Sequence, residues 1–284
     1  MPLQLSPRRV AVLTALAMLA FAGNSLLCRG ALAHTGIDAA SFTLIRLASG
    51  AVSLWLLVRV SQGPNGLLGN WGSALALFVY AAAFSLAYLS LTAATGALLL
   101  FGAVQVTMIG YGQWTGTRLR AGQLAGFVLA AGGLVALLLP GLSAPPLGGS
   151  LLMLAAGAAW GVYSLRAKGS GDPLRATAGN FARAVVPALV LSAAMLPRAT
   201  IDGAGVMYAV ASGALASGLG YAIWYTALGG LNVTSAATVQ LSVPLIAALG
   251  GVVLLAEPLS LRLVVTSVAI LGGIALVVVP RRAG

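Results

Sequence analysis

The stretch that most restricts this chain is Asn232–Pro258, NVTSAATVQLSVPLIAALGGVVLLAEP, with the apolar run that follows it to Pro280. It reads as an apolar helix carrying small residues, two isolated amides and a mid-helix Pro244. A Glu-Pro turn and a second apolar helix come next. The same plan stands 140 residues earlier, over Ala94–Pro140. Ala97 aligns with Ala237, Gly110 with Gly250, Leu119 with Leu259, and Val128 with Val268. Gly132-Gly133 aligns with Gly272-Gly273, and Pro140 with Pro280, all without a gap. A register held through two helices and the turn between them marks a duplicated unit, expected as 1–142 and 143–284.

Such a unit can fold in few places. The chain is 60% hydrophobic and 7% charged, against about 25% charged in soluble domains. It cannot cover itself with a solvated surface, so lipid is its solvent. Ten apolar spans follow, at about 10–32, 38–60, 71–92, 95–115, 120–139, 148–167, 176–197, 204–228, 234–255 and 260–279. Each is near the roughly 20 residues that a helix needs to cross a bilayer. Gly63-Pro64-Asn65-Gly66, Pro140-Gly141, Pro145-Pro146, Gly171-Asp172-Pro173 and Glu257-Pro258 punctuate them. The first run is long and leads straight into a second, which argues against a cleaved leader.

The net charge of +11 flanks apolar runs instead of forming a basic face, so no nucleic-acid partner is expected. With the N-terminus in the cytoplasm, Arg8, Arg9, Arg59, Arg118, Arg120, Arg166, Lys168, Arg175, Arg281 and Arg282 all lie inside. Arg29, Arg198 and Arg262 lie outside, while Arg46 and Arg183 fall within spans. Both termini are then cytoplasmic, in a plasma membrane, the inner one of a bacterium. Five spans per copy is an odd number, so the second copy enters the membrane inverted. Inverted repeats are how many secondary transporters open to opposite sides around a midplane site. An inert scaffold is the bland alternative.

The chain resembles the drug/metabolite transporter superfamily, in particular its ten-helix EamA-type members. The matching residues are Phe42 to Arg46 on the second span and Trp160-Gly161-Val162-Tyr163 with Arg166 on the sixth. Ala227-Leu228, Ala236 to Pro244, and Ala256-Glu257-Pro258-Leu259 complete the match. The first copy departs from it, with Thr117-Arg118 in place of Glu257-Pro258 and Val104 in place of Pro244. The resemblance implies a cavity lined by spans one, three, four, six, eight and nine, with five and ten peripheral, and traffic in metabolites, often outward. Within the superfamily the chain looks most like the aromatic amino-acid exporters of the YddG type.

Four acids exist, Asp38, Asp172, Asp202 and Glu257, all at span ends or in loops. Proton-coupled carriers keep a carboxylate at membrane depth, as the small multidrug exporters of the superfamily do on their first helix. Here the first span offers Asn24 and Ser25, so no tight proton coupling is expected. Arg46 and Arg183 are 137 residues apart and roughly 10–12 Å from their span ends. They either hold a substrate carboxylate bidentately or bond carbonyls and snorkel. The family's placement of these helices away from the cavity centre favours the structural role.

Gln105 and Gln240 are amides at depth, suited to a substrate ammonium or to bonds between helices. Proline frees the carbonyl four residues earlier, here that of Gln240, which makes Pro244 a candidate hinge, with Gly218 on the eighth span. Ser242, Thr238, Thr107 and Ser217 read as interhelical glue. Phe84 and Tyr88 are i, i+4 neighbours, as are Tyr221 and Tyr225, again at spacing 137. Tyr80, Phe84, Phe101, Trp160 and Tyr163 are expected in the cavity, with Trp224 a further ring on the eighth span. Tyr88, Tyr225 and Trp71, near span ends, are expected in the interfacial belt.

One Cys28 and one His34 leave no disulfide framework, metal centre or catalytic pair. No Gly-x-x-x-x-Gly-Lys-Ser/Thr loop suggests ATP. No cofactor and no catalytic residue are expected. The reading is a secondary transporter of small metabolites, aromatic and other apolar amino acids first, acting as a monomer. Export of drugs or anionic metabolites is the alternative, ahead of a membrane enzyme or scaffold.

Overall fold

The computed structural model describes residues 6–63, 66–116, 119–141, 143–167, 171–231 and 233–278, without the side chains of 233 and 234. Pro64, Asn65, Thr117, Arg118, Lys168, Asn232, Pro280, Arg281 and Arg282 lie outside the described residues. The protein is all-helical over the described residues, with ten helices long and apolar enough to cross a membrane. In chain order these are α1 (Pro7–His34), α2 (Ala39–Gln62), α3 (Trp71–Tyr88), α4 (Ala93–Trp114) and α5 (Ala121–Leu138). The second five are α6 (Leu147–Ala167), α7 (Pro173–Ala194), α8 (Gly203–Leu228), α9 and α10 (Leu261–Val278). Helix α9 comes in two pieces, Val233–Gln240 and Ser242–Leu255.

The helix starts follow side-chain chemistry. Asp38, Asn70, Thr92, Asp172 and Asp202 each accept a backbone N–H in the first turn of the helix that follows. The third helix stops at Tyr88 rather than 92, because Thr92 is taken up in starting α4. Large aliphatic side chains left outside, such as Leu124, Val128 and Val135 on α5 and Leu261, Val265 and Val268 on α10, face the lipid. This is a multi-pass membrane protein.

Packing repeats under exchange of the chain's halves. Helix α3 lies along α6, and α1 along α8; α4 lies along α6, and α1 along α9. Pairs that map onto themselves, α2 with α7, α4 with α9 and α5 with α10, are all in contact. The peripheral pair α5–α10 meets through glycine: a Cβ on Gly126 would strike the Gly273 carbonyl at 2.6 Å, and Gly133 faces Ile270. Small residues let backbones approach where water supplies no drive for association.

Two helices depart from regularity. Over 211–219, α8 widens into a π-helix, and the Gly220 N–H reaches back five residues to Leu215. Gly218 sits in this stretch against Ser53, and Gly213 lies against the Arg46 carbonyl and Ser49 of α2. In α9 the α-helical run breaks at Leu241, whose N–H bonds only to Thr238, three residues back. Pro244 then falls in the first turn of the second piece, where a missing N–H leaves no bond unmade.

Candidate functional site

A cavity of about 410 Å³ lies between the two sets of helices, within the range of about 300–1,000 Å³ usual for small-molecule sites. Helix α1 contributes Phe21, Asn24 and Ser25, and α3 contributes Tyr80 and Phe84. Phe101, Gln105 and Met108 come from α4, and Trp160, Tyr163 and Ser164 from α6. Helix α8 brings Ser217, Tyr221, Trp224 and Tyr225, and α9 brings Ala237 and Gln240. Asn24, Tyr80, Phe84, Phe101, Gln105, Trp160, Tyr163 and Gln240, singled out in the sequence, thus share one cavity wall. Helices α5 and α10 give nothing to it.

The wall is an aromatic cage centred on Trp160. Its ring is 4.9 Å from Tyr80, stacks at 5.2 Å on Tyr163, and lies nearly parallel to Tyr221 at 5.3 Å. Tyr80 continues to Phe84 at 5.4 Å, and Phe21 reaches Tyr221 at 5.8 Å and Trp224 at 5.9 Å. Face and edge contacts of this kind hold the rings in place and leave flat apolar surface for a guest.

The polar groups gather at one point of the wall. Ser212 donates to Asn24 Oδ1 (2.6 Å), and Asn24 Nδ2 donates to the Tyr80 hydroxyl (3.2 Å). Arg46 Nη2 donates to the same hydroxyl (3.0 Å). Arg46 is 2% exposed, with its guanidinium 4.8 Å from the Phe84 ring and 5.2 Å from the Tyr80 ring. Its Nε and Nη1 are buried without a partner. Arg46 does not itself line the cavity. Gln105 is buried in the wall, whereas the Gln240 amide turns back to the Ala236 carbonyl of its own helix (3.2 Å).

Arg183, expected to match Arg46, is only partly buried. It donates to the Leu68 and Gly179 carbonyls, both at 2.9 Å, and stands away from the cavity lining. The bland role describes Arg183; Arg46 is a buried cation touching the site. Tyr88 and Tyr225 correct the belt expectation. Tyr88 is fully buried against Phe84 at 4.8 Å, and Tyr225 lines the cavity and lies 3.2 Å from the Thr177 hydroxyl, which donates to it. Trp71 is exposed, as expected of a belt residue. Ser217 lines the cavity with a buried hydroxyl that makes no hydrogen bond, so it is not glue between helices. Phe21 was not visible in the sequence as a site residue: it lies on the first span without an i, i+4 aromatic partner.

The two ends of the cavity differ. One end reaches Ala167, Pro173 and Leu228, and adjoins a second hollow of about 220 Å³ walled by Asn70, Ser73, Tyr163, Arg166, Thr177 and Tyr225. At the other end Arg29 Nε pairs with Glu257 Oε1 at 2.8 Å, and Arg29 Nη1 donates to the Tyr88 carbonyl. Glu257 Oε2 accepts the Ala93 N–H at the start of α4 (2.7 Å). Ala256, at φ 51°, is the one described non-glycine in the left-handed region, and its turn throws Glu257 back onto α4.

Beside this, Asp38 accepts the Thr200 N–H and Asp202 the Gly36 N–H, tying the α1–α2 and α7–α8 connections together. Burial pushes the Asp38 carboxyl up, but hydrogen bonds from Ser41, Thr200 and Ala40 outweigh it and hold the group below the usual carboxylate range. Hydrogen bonds from Gly36 and Gly205 do the same for Asp202.

All four acids are therefore engaged at helix ends, and no Asp or Glu lines either hollow among the described residues. No three His, Cys, Asp or Glu side chains gather as a metal site among the described residues. Cys28 is buried and His34 exposed at the end of α1.

Residues 147–279 match the EamA-like transporter family. That match takes in the second set of five helices, α6 to α10. It is 59% identical over 275 residues to an uncharacterized protein of Pseudomonas aeruginosa, covering 96% of each chain. A crystal structure that is 18% identical superposes with a TM-score of 0.68 over 96% of this chain and 98% of the other. That likeness shows a shared fold. A match to a transporter family over the second five helices, together with ten membrane-length helices, supports a transporter class for this chain.

Proposed function

We propose that the protein is a secondary transporter that exports small apolar metabolites, aromatic amino acids foremost, by alternating access. Its halves, 1–142 and 143–284, act as inverted copies that rock about the cavity. The observation that carries this reading is a cage of Tyr80, Trp160, Tyr163 and Tyr221 whose cavity runs out to helix ends at Ala167, Pro173 and Leu228, with the Arg29–Glu257 pair beyond its other end. Packing that repeats when the halves are exchanged supports the inverted pair.

The mouth face carries Arg59, Arg120, Arg166 and Arg175, and the closed face Arg29, Arg198 and Arg262, which supports a cytoplasmic mouth and cytoplasmic termini in a bacterial inner membrane. The present state is then open inward. The absence of a carboxylate from the lining among the described residues supports transport without tight proton coupling. Helices of a single chain line the cavity, so a monomer suffices.

Uptake by purified protein in liposomes tests this, with labelled phenylalanine, tryptophan and threonine, with and without a pH gradient. Saturable movement of the aromatic acids that ignores the gradient is expected. Movement driven by the gradient overturns the uncoupled mechanism, and no movement of any amino acid overturns the substrate.

A further inference from the structure

The Tyr80 hydroxyl is saturated on one side and open on the other. A tyrosine oxygen accepts two hydrogen bonds and donates one. Asn24 Nδ2 and Arg46 Nη2 occupy both accepting positions, at 3.2 and 3.0 Å. Among the described residues no acceptor takes the Tyr80 proton, while Tyr80 itself lines the cavity. Its O–H is held ready for an acceptor that the protein does not supply.

The charge behind it has no counterion. Arg46 is fully buried, faces aromatic rings, and keeps two unpartnered nitrogens. A buried cation is costly unless an anion approaches it. No Asp or Glu lines the cavity among the described residues, so an ammonium group entering here meets amides and hydroxyls but no negative charge. Arg166 at the mouth, held by Ser73 (3.2 Å) and Asn70 (3.1 Å), adds positive charge along the way in.

We infer that the cavity recognises aromatic carboxylates, the Tyr80 O–H donating to the carboxylate with Arg46 behind it, and that a substrate amino group is dispensable. The ring of such a ligand packs against Trp160, which touches Tyr80 on one side and stacks on Tyr221 on the other. Tyr80 touches the ligand, and Arg46 is a positioning residue that acts through it. This rests on the transporter reading and narrows its substrate class. It departs from a direct bidentate clasp by Arg46, because the guanidinium stands behind the wall and not in it.

The test is binding to the purified protein in nanodiscs, read by tryptophan fluorescence, with three probes: 3-phenylpropionate, phenylalanine and phenethylamine. The acid is expected to bind within about threefold of phenylalanine and the amine about 10- to 100-fold more weakly, as a charge-assisted hydrogen bond implies. Tyr80→Phe should remove most of the preference for acid over amine. Arg46→Gln should flatten the same ratio and Arg46→Lys restore part of it, which a packing role alone does not predict. Should Arg46→Gln fail to fold, Tyr80→Phe decides.

A wild-type preference for the amine, or an acid preference untouched in Tyr80→Phe, overturns the inference. Binding of phenylalanine with refusal of phenylpropionate overturns it too, but leaves the amino-acid exporter standing. The reverse result sustains it and overturns the amino-acid substrate. No binding by any probe overturns both.

Discussion

The two ends of the cavity are built from different chemistry. The closed end is stitched by charge and backbone: Arg29 to Glu257, Glu257 to the α4 start, and Asp38 and Asp202 across the loops. Farther along, the seam between α2 and α8 has no room for a side chain at Gly213. The mouth is a gap between helix ends, bridged by a tyrosine–threonine contact, with arginines satisfied by neighbouring carbonyls and amides. One end has discrete bonds to break on opening, and the other has few. The pair in the first copy that would mirror Glu257-Pro258 is Thr117-Arg118 in sequence. On the proposed duplication, the acid that ties the closed end has no counterpart at the mouth.

The largest effect should come from the seam. A Cβ on Gly213 collides with the Arg46 carbonyl and Ser49, so Gly213→Val should cost about 1–3 kcal/mol or more and lower folded yield in detergent. Normal yield and thermal stability of that variant would mean that α8 slides freely on α2.

Next is the ion pair. Glu257→Gln keeps the shape but removes a charge-assisted bond worth about 1.5–3 kcal/mol, so the closed end should open about 10- to 100-fold more often. Cys28, buried one residue before Arg29, reports this: a membrane-impermeant thiol reagent should label the variant correspondingly faster than the wild type. Equal labelling would show that Glu257 does not lock this end.

Acid should act in the same place more weakly. The Asp38 and Asp202 carboxyls sit below their ordinary values, so their stabilisation is present above about pH 4 and disappears as pH falls through the folded-state values. The melting temperature should hold from pH 7 to 5 and drop below about 4, and Asp38→Asn should flatten the drop. A curve unchanged by that substitution would remove Asp38 from the account. The smallest effect belongs to the mouth. Tyr225→Phe should cost less than about 1 kcal/mol and leave Cys28 labelling unchanged. Faster labelling there would mean that the two ends are not distinct.

Much of this fold is legible in the sequence, because a run of roughly 20 apolar residues with turn residues at each end has one stable solution in lipid. The ten spans, the peripheral place of α5 and α10, and the aromatic stripe on α3 come from that logic and from the family likeness. Facing directions do not. Helices apolar on every side carry no stripe to orient them, so Tyr88 and Tyr225, read as belt residues from their nearness to span ends, turn out to point inward.

Arg46 and Arg183 occupy matching positions, yet their fates depend on neighbours: Tyr80 and Phe84 beside one, the Leu68 carbonyl beside the other. The lock itself joins residues 228 apart in sequence, a pairing that no local pattern reports. The π-helical stretch of α8 has no marker in composition, whereas the break at Leu241 lies just before Pro244.

Counterflow tests the central claim most directly. Liposomes holding the protein are loaded with unlabelled tryptophan, diluted, and given a trace of labelled tryptophan outside. A carrier whose cavity faces one side at a time accumulates label transiently above its equilibrium level. We predict that overshoot, and its loss in Trp160→Ala. Monotonic filling without an overshoot would contradict alternating access.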